Sequence, residues 1–193
     1  MNQSLRDASA ASAELQHILA TRAVSTRFQP IVNLRTGCTL GYEALSRGPE
    51  GSALFSPTEL FEQAEASGQL MTLEHLCRET AIASAVQYAI QDHLFLNITP
   101  TVIEDPAFQT GLTQKVLAEH GLTPQQIILE ITERSAIYNF NAFRRSIDHY
   151  RRQGFGIAID DAGAGYSSLQ AIAELNPDYI KIDRSLIAGV DQS

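Results

Sequence analysis

Apolar positions along the chain follow two periods in turn. Short runs with a strand-like period are FQPIVNL (28–34), CTLGYEALS (38–46), LFLNI (94–98), IILEIT (127–132), FGIAID (155–160) and YIKID (179–183). Thr36-Gly37 suits a turn between the first two, so they are expected to form a hairpin. Helical spacing fills the gaps between the later runs. Ser56-Pro57-Thr58-Glu59 reads as a capping box with proline at the first helical position, opening a helix over 57–66. Further helices are expected over 70–90, 107–120, 140–153 and 167–175, with Gly121 closing the one over 107–120 and Gly154 the one over 140–153. Leu15, Ile18 and Leu19 predict a short helix over 14–24, and the polar, Ala/Ser-rich residues 1–12 are expected to be loose.

Strand–helix alternation with nearly uninterrupted apolar strands implies a mainly parallel sheet covered by helices. An open doubly wound sheet and a (β/α)8 barrel both satisfy that pattern. No Gly/Ser/Pro-rich linker or internal repeat divides the chain, so residues 13–193 are expected to form one domain.

Composition narrows the function. A chain of 193 residues with 44 % hydrophobic and 19 % charged residues is ordinary for a globular protein. A net charge of −8 argues against unassisted binding of polymeric nucleic acid. An anionic substrate would need added cations. Cys38 and Cys77 lie at no metal-ligand spacing and read as small hydrophobes in a reducing compartment. No stretch approaches 18 uninterrupted apolar residues, and the N-terminus lacks a secretory signal, so a cytoplasmic location is expected.

The polar residues near the ends of the runs carry the chemistry. Glu43 and Arg47 close the second run, Asn97 the third, Glu130 and Glu133 the fourth, Asp160 and Asp161 the fifth, and Lys181 and Asp183 the sixth. In parallel α/β folds the C-terminal strand ends share the face that holds the active site. Several carboxylates confined there cannot all stay ionised without cations, and oxygen ligands suit Mg²⁺ or Mn²⁺. Two such ions, about 3.5–4 Å apart, form the usual clamp for phosphodiester displacement. Each residue alone also has a plain reading. Asp160-Asp161 is a solvated turn, Asn97 a strand-end or cap residue, and Glu130 and Lys181 members of an alternating solvated face. The five histidines fit structural roles. Only their convergence would define a site.

The motifs GYEALSR (41–47), QPI (29–31), FLNIT (95–99), LEITE (129–133), IDDAGAGYSSL (159–169) and DYIKID (178–183) occur in one order, and with them the chain resembles the EAL domains over residues 13 to 193. The resemblance implies a modified (β/α)8 TIM-like barrel whose first strand is antiparallel. It implies hydrolysis of cyclic di-GMP to linear pGpG in bacterial second-messenger signalling. It implies that Glu43, Asn97, Glu130 and Asp160 ligate a first metal, that Asp161 serves a second, and that Lys181 holds the nucleophilic water. Catalysis would then rest on Glu43, Lys181 and Asp161. Gln29, Leu45 and Arg47 would line the substrate groove, with Asp183 nearby. Glu133 would steady the loop after Asp161, and a homodimer is implied.

Two departures stand out. The loop that usually reads Asp-Phe-Gly-Thr-Gly is Asp161-Ala162-Gly163-Ala164-Gly165 here. About six of eight strands are present, against roughly 250 residues for a whole barrel, so the expectation is a domain lacking its last part, with the activity of this chain alone in question. The main alternative is a non-catalytic module that binds cyclic di-GMP or a protein partner. An unrelated metal-dependent barrel, such as an enolase-like lyase, fits the carboxylates but not the ordered motifs.

Overall fold

Strands form at all six runs in the computed structural model, which describes residues 3–99, 112–132, 140–163 and 168–189. They are β1 (Ser25–Val32), β2 (Thr39–Arg47), β3 (His93–Asn97), β4 (Ile127–Thr132), β5 (Gly156–Ala162) and β6 (Tyr179–Ile182). The helices are α1 (Gln3–Thr21), α2 (Pro57–Ala66), α3 (Leu70–Gln87), α4 (Leu112–Glu119), α5 (Phe140–Gln153), α6 (Ser168–Leu175) and α7 (Arg184–Ile187). The part of the third expected helix that precedes Leu112 lies outside the described residues. The helix α1 begins earlier than its apolar spacing suggests, because Ala8, Ala10, Ala11 and Ala13 have high helix propensity. By its contacts the chain divides into two compact units, residues 1–90 and 91–193.

In the first unit β1 and β2 form the expected antiparallel hairpin, with Gln29 opposite Glu43 and Phe28 opposite Ala44. Its turn is closed by the Asn33 carbonyl, which accepts the Gly37 N–H at 2.8 Å, with Gly37 at φ +72°. β1 starts three residues before the apolar run because Ser25–Arg27 pair with Leu45–Arg47. Helix α2 spans the expected residues, and its Ser56 cap accepts the Glu59 N–H at 3.5 Å. Leu15 and Ile18 of α1, Leu60 and Ala64 of α2, and Leu73 and Cys77 of α3 share one core with Leu54. Helix α3 also packs on the hairpin. There the Phe28 ring meets Tyr88 edge-on at 6.0 Å, and Ser46 hydrogen-bonds the Cys77 thiol.

In the second unit β3, β4, β5 and β6 are parallel and adjacent in chain order. Leu94, Phe95, Leu96 and every residue from Ile127 to Ile131 are buried. Such continuous burial is what a parallel sheet covered by helices requires. The outward set includes Leu129, Ile131, Ile157 and Ile159, each about fully buried. Each contributes roughly 1.5–3 kcal/mol by leaving water. Helix α5 packs on β5 and buries Ile147 and Tyr150. Gly154, at φ +96°, ends α5 in a conformation that side-chain-bearing residues rarely adopt, and the chain turns directly into β5. The Asp178 N–H donates to the Ile157 carbonyl at 2.8 Å, and its carboxylate accepts the Ile157 N–H at 2.9 Å, fixing the start of β6. Ile180, Ile182, Leu186 and Ile187 are exposed at 47 %, 59 %, 54 % and 55 %.

Candidate active site

The register of the parallel strands sets which side chains share the inner face. Asn97 lies beside Glu130, Glu130 beside Ala158, Thr132 beside Asp160, and Ala158 beside Tyr179. Alternation therefore puts Asn97, Glu130, Asp160 and Lys181 on one face, all toward the C-terminal strand ends. These four form the polar upper layer; the same face also carries His93, Phe95, Ile128, Gly156, Ala158 and Tyr179, of which Ala158 and Tyr179 are level with Glu130 in the register.

Lys181 ties the upper layer together. Its Nζ lies 2.9 Å from Oε1 of Glu130 and 3.1 Å from Oδ2 of Asp160. The Glu130 side chain is fully buried, while those of Asp160 and Lys181 are 18 % and 28 % exposed. A buried carboxylate is costly unless a cation and hydrogen bonds compensate it, and Lys181 does this for Glu130. Its neighbours Ile180 and Ile182 point away and are exposed. The strand has its lysine inside and its isoleucines outside, the reverse of a solvated charged face.

The adjacent aspartates occupy a β-bulge. Ile159 pairs with Ile180, but Ala162, three residues on, pairs with Ile182, so β5 holds one residue too many. Asp161 takes up the slack at φ +55°, a left-handed conformation that Asp tolerates better than most residues. Its N–H donates to Oδ1 of Asp160 at 2.9 Å. Asp160 remains partly buried beside Lys181 while Asp161 is exposed. Strict alternation along β5 ends at this bulge. The three-residue step between the apolar Ile159 and Ala162 is the sequence signal for it.

The expected groove residues lie in the first unit. Gln29, Glu43, Leu45 and Arg47 share the hairpin face that points away from α3, with Gln29 directly across from Glu43. Glu43, Leu45 and Arg47 are half-buried and Gln29 is exposed. The Arg47 guanidinium donates to the Ser46 carbonyl at 2.7 Å. Asp183 caps α7 by accepting the Ser185 N–H at 2.7 Å, and its own N–H donates to the Ala162 carbonyl at 3.2 Å, next to the bulge. Glu133 and residues 164–167 of the loop lie outside the described residues.

The donor set is all oxygen, apart from Lys181. Glu130 and Asp160 set two carboxylates beside the single ammonium of Lys181. An excess of carboxylate held by rigid strands fits hard divalent cations such as Mg²⁺, Mn²⁺ or Ca²⁺. Away from this site the Cys77 thiol is pushed up to about 11 by burial, with the Ser46 hydrogen bond opposing the shift.

A strand-ordered α/β scaffold with polar groups collected at its C-terminal strand ends defines a TIM-like barrel protein. The chain belongs to the EAL domain family, whose model matches residues 12–193. It is 32 % identical to the probable cyclic di-GMP phosphodiesterase PdeI of Escherichia coli (strain K12), over 91 % of this chain and 23 % of PdeI. Klebsiella pneumoniae BlrP1, solved as a calcium/cy-diGMP complex, is similar with a TM-score of 0.77 and 31 % identity, over 87 % of this chain and 42 % of that one. PaMucR phosphodiesterase, solved as a c-di-GMP complex, has a TM-score of 0.83 and 25 % identity, over 95 % of this chain and 76 % of that one. The chain spans about a quarter of the length of PdeI and of several other curated relatives. No helix among the described residues is long and apolar enough to cross a membrane.

Proposed function

We propose that this chain is part of a metal-dependent phosphodiesterase that hydrolyses cyclic di-GMP to linear pGpG, acting in the cytoplasm as a homodimer. The observation that carries the reading is the pairing of Lys181 with both Glu130 and Asp160 on one face of a parallel sheet, with the flanking isoleucines turned outward. Membership of the EAL family and relatives named as cyclic di-GMP phosphodiesterases support the choice of substrate.

In this reading Glu43, Asn97, Glu130 and Asp160 hold one Mg²⁺ or Mn²⁺ ion, and Asp161 holds a second. Bound there, such ions neutralise the phosphodiester and lower the pKa of a coordinated water. Lys181, held by two carboxylates, orients the attacking water. Arg47 takes a phosphate oxygen through its planar fork. Gln29 and Leu45 line the groove, Asp183 backs the second-ion region, and Glu133 steadies the loop after Asp161. The water oxygen would bond to phosphorus as the bond to the ribose oxygen breaks, with a proton from the water ending on that oxygen as the free hydroxyl and the ring opened to the linear dinucleotide.

The test is cyclic di-GMP hydrolysis with Mg²⁺ or Mn²⁺, by this chain and by the whole product of its native gene. Formation of pGpG by the whole product, abolished by Glu43→Ala and by chelator, is the expected result. A second reading, a non-catalytic cyclic di-GMP-binding or protein-interaction module, is favoured by Ala162 and Ala164 in the loop. Tight binding by the whole product with no turnover under either metal selects it.

A further inference from the structure

The strand that carries Lys181 is only four residues long, and its outward isoleucines are exposed. Little on that side of β6 can fix the position of the lysine. The inner side does. Tyr179 lies two residues before Lys181 on the same face. Its ring meets Phe95 of β3 edge-on, with centroids 5.3 Å apart at 68°. It also meets His93, 6.4 Å away at 61°. By register Tyr179 stands level with Ala158 of β5 and Glu130 of β4.

We propose that Tyr179 is a positioning residue for Lys181. Its ring, set against Phe95 and His93, holds β6 at the height that sets Nζ between Glu130 and Asp160. The ring matters and the hydroxyl does not. The kinetic part of the claim rests on the phosphodiesterase reading above; the structural part does not.

The chain has only two lysines, Lys115 and Lys181, which makes a direct test possible. Lysine ammonium protons exchange rapidly with water unless they are held in hydrogen bonds. In ¹⁵N-lysine-labelled protein at neutral pH, Lys181 is expected to give an ammonium ¹H–¹⁵N signal. Lys115, with a side chain 74 % exposed, is expected to be broadened away. Tyr179→Phe should keep the signal. Tyr179→Leu, which preserves apolar burial, should lose it while remaining folded by circular dichroism. In the whole gene product, Tyr179→Leu should lower kcat for cyclic di-GMP by about 10- to 100-fold, as expected when a group is misplaced by about 1 Å. KM should change less than about twofold, and Tyr179→Phe should restore the rate. Should Tyr179→Leu not fold, Phe95→Leu, which removes the ring that Tyr179 meets, is the second variant and is expected to weaken the same signal. A folded Tyr179→Leu with an undiminished Lys181 signal overturns the proposal, and so does loss of signal in Tyr179→Phe. A wild-type product that shows the signal but no hydrolysis counts against the phosphodiesterase reading alone.

Discussion

Arg27 and Lys181 are both strand cations paired with carboxylates, yet the two regions use them differently. Arg27 in the hairpin meets Glu50 at 2.9 Å with both side chains mostly in water, 62 % and 80 % exposed. Such a pair is screened and contributes about 0–1 kcal/mol. Lys181 in the parallel sheet neutralises a fully buried carboxylate at the same distance. Distance alone does not rank ion pairs; desolvation does. The hairpin has one face on α3 and keeps its charges on the other, where alternation reveals them. The parallel sheet is covered on the outer face of β4 and β5, and Glu130 and Asp160 of those strands lie on the inner face.

Four comparisons break or sharpen that contrast. The largest expected loss is in the outer layer of the parallel sheet. Ile157→Ala, at a site with no exposure, should cost about 4 kcal/mol in urea unfolding, whereas Leu45→Ala on the half-buried hairpin face should cost about 1. Next, Lys181→Met leaves Glu130 buried without its cation and should cost about 3 kcal/mol. Adding Glu130→Gln to that variant should recover most of the loss, and a double-mutant cycle measures the coupling. Third is Cys77, whose folded thiol is pushed up to about 11 from an ordinary 9.0. The unfolded thiol ionises first as pH rises, so this stabilisation is complete below about pH 9 and lost progressively toward pH 11. Between pH 8 and 10.5 the wild type should lose about 2 kcal/mol more than Cys77→Ala, read from urea midpoints. The smallest effect is Arg27→Ala, expected within about 0.5 kcal/mol and insensitive to Glu50 once salt is added.

The same contrast explains what could be read from the sequence. Helix α2 starts and helix α5 ends where expected, because Ser56 with Pro57 marks the first and Gly154 the second by backbone chemistry. The hairpin was legible from Thr36-Gly37 and the alternation after it. Lys181 was not placeable from alternation alone, since Ile-Lys-Ile fits a strand facing either way. Its face is decided by the buried Glu130 two strands away, a tertiary fact. The bulge at Asp161 escaped for a related reason. Asp-Asp before Ala-Gly looks like a turn, and only pairing with β6 shows that the strand continues through it. The group of rings beside the site was also missed, because His93, Phe95 and Tyr179 are far apart in sequence and read as core.

The four aliphatic side chains exposed between Ile180 and Ile187 give the chain's solution behaviour a temperature sign. Contact between such surfaces is driven by release of water and strengthens on warming near room temperature. The net charge of −8 opposes it, and added salt screens that repulsion. Heat and salt therefore push the same way: dispersions of this chain are best kept cold and dilute in electrolyte, and light scattering should rise most steeply when both are raised together.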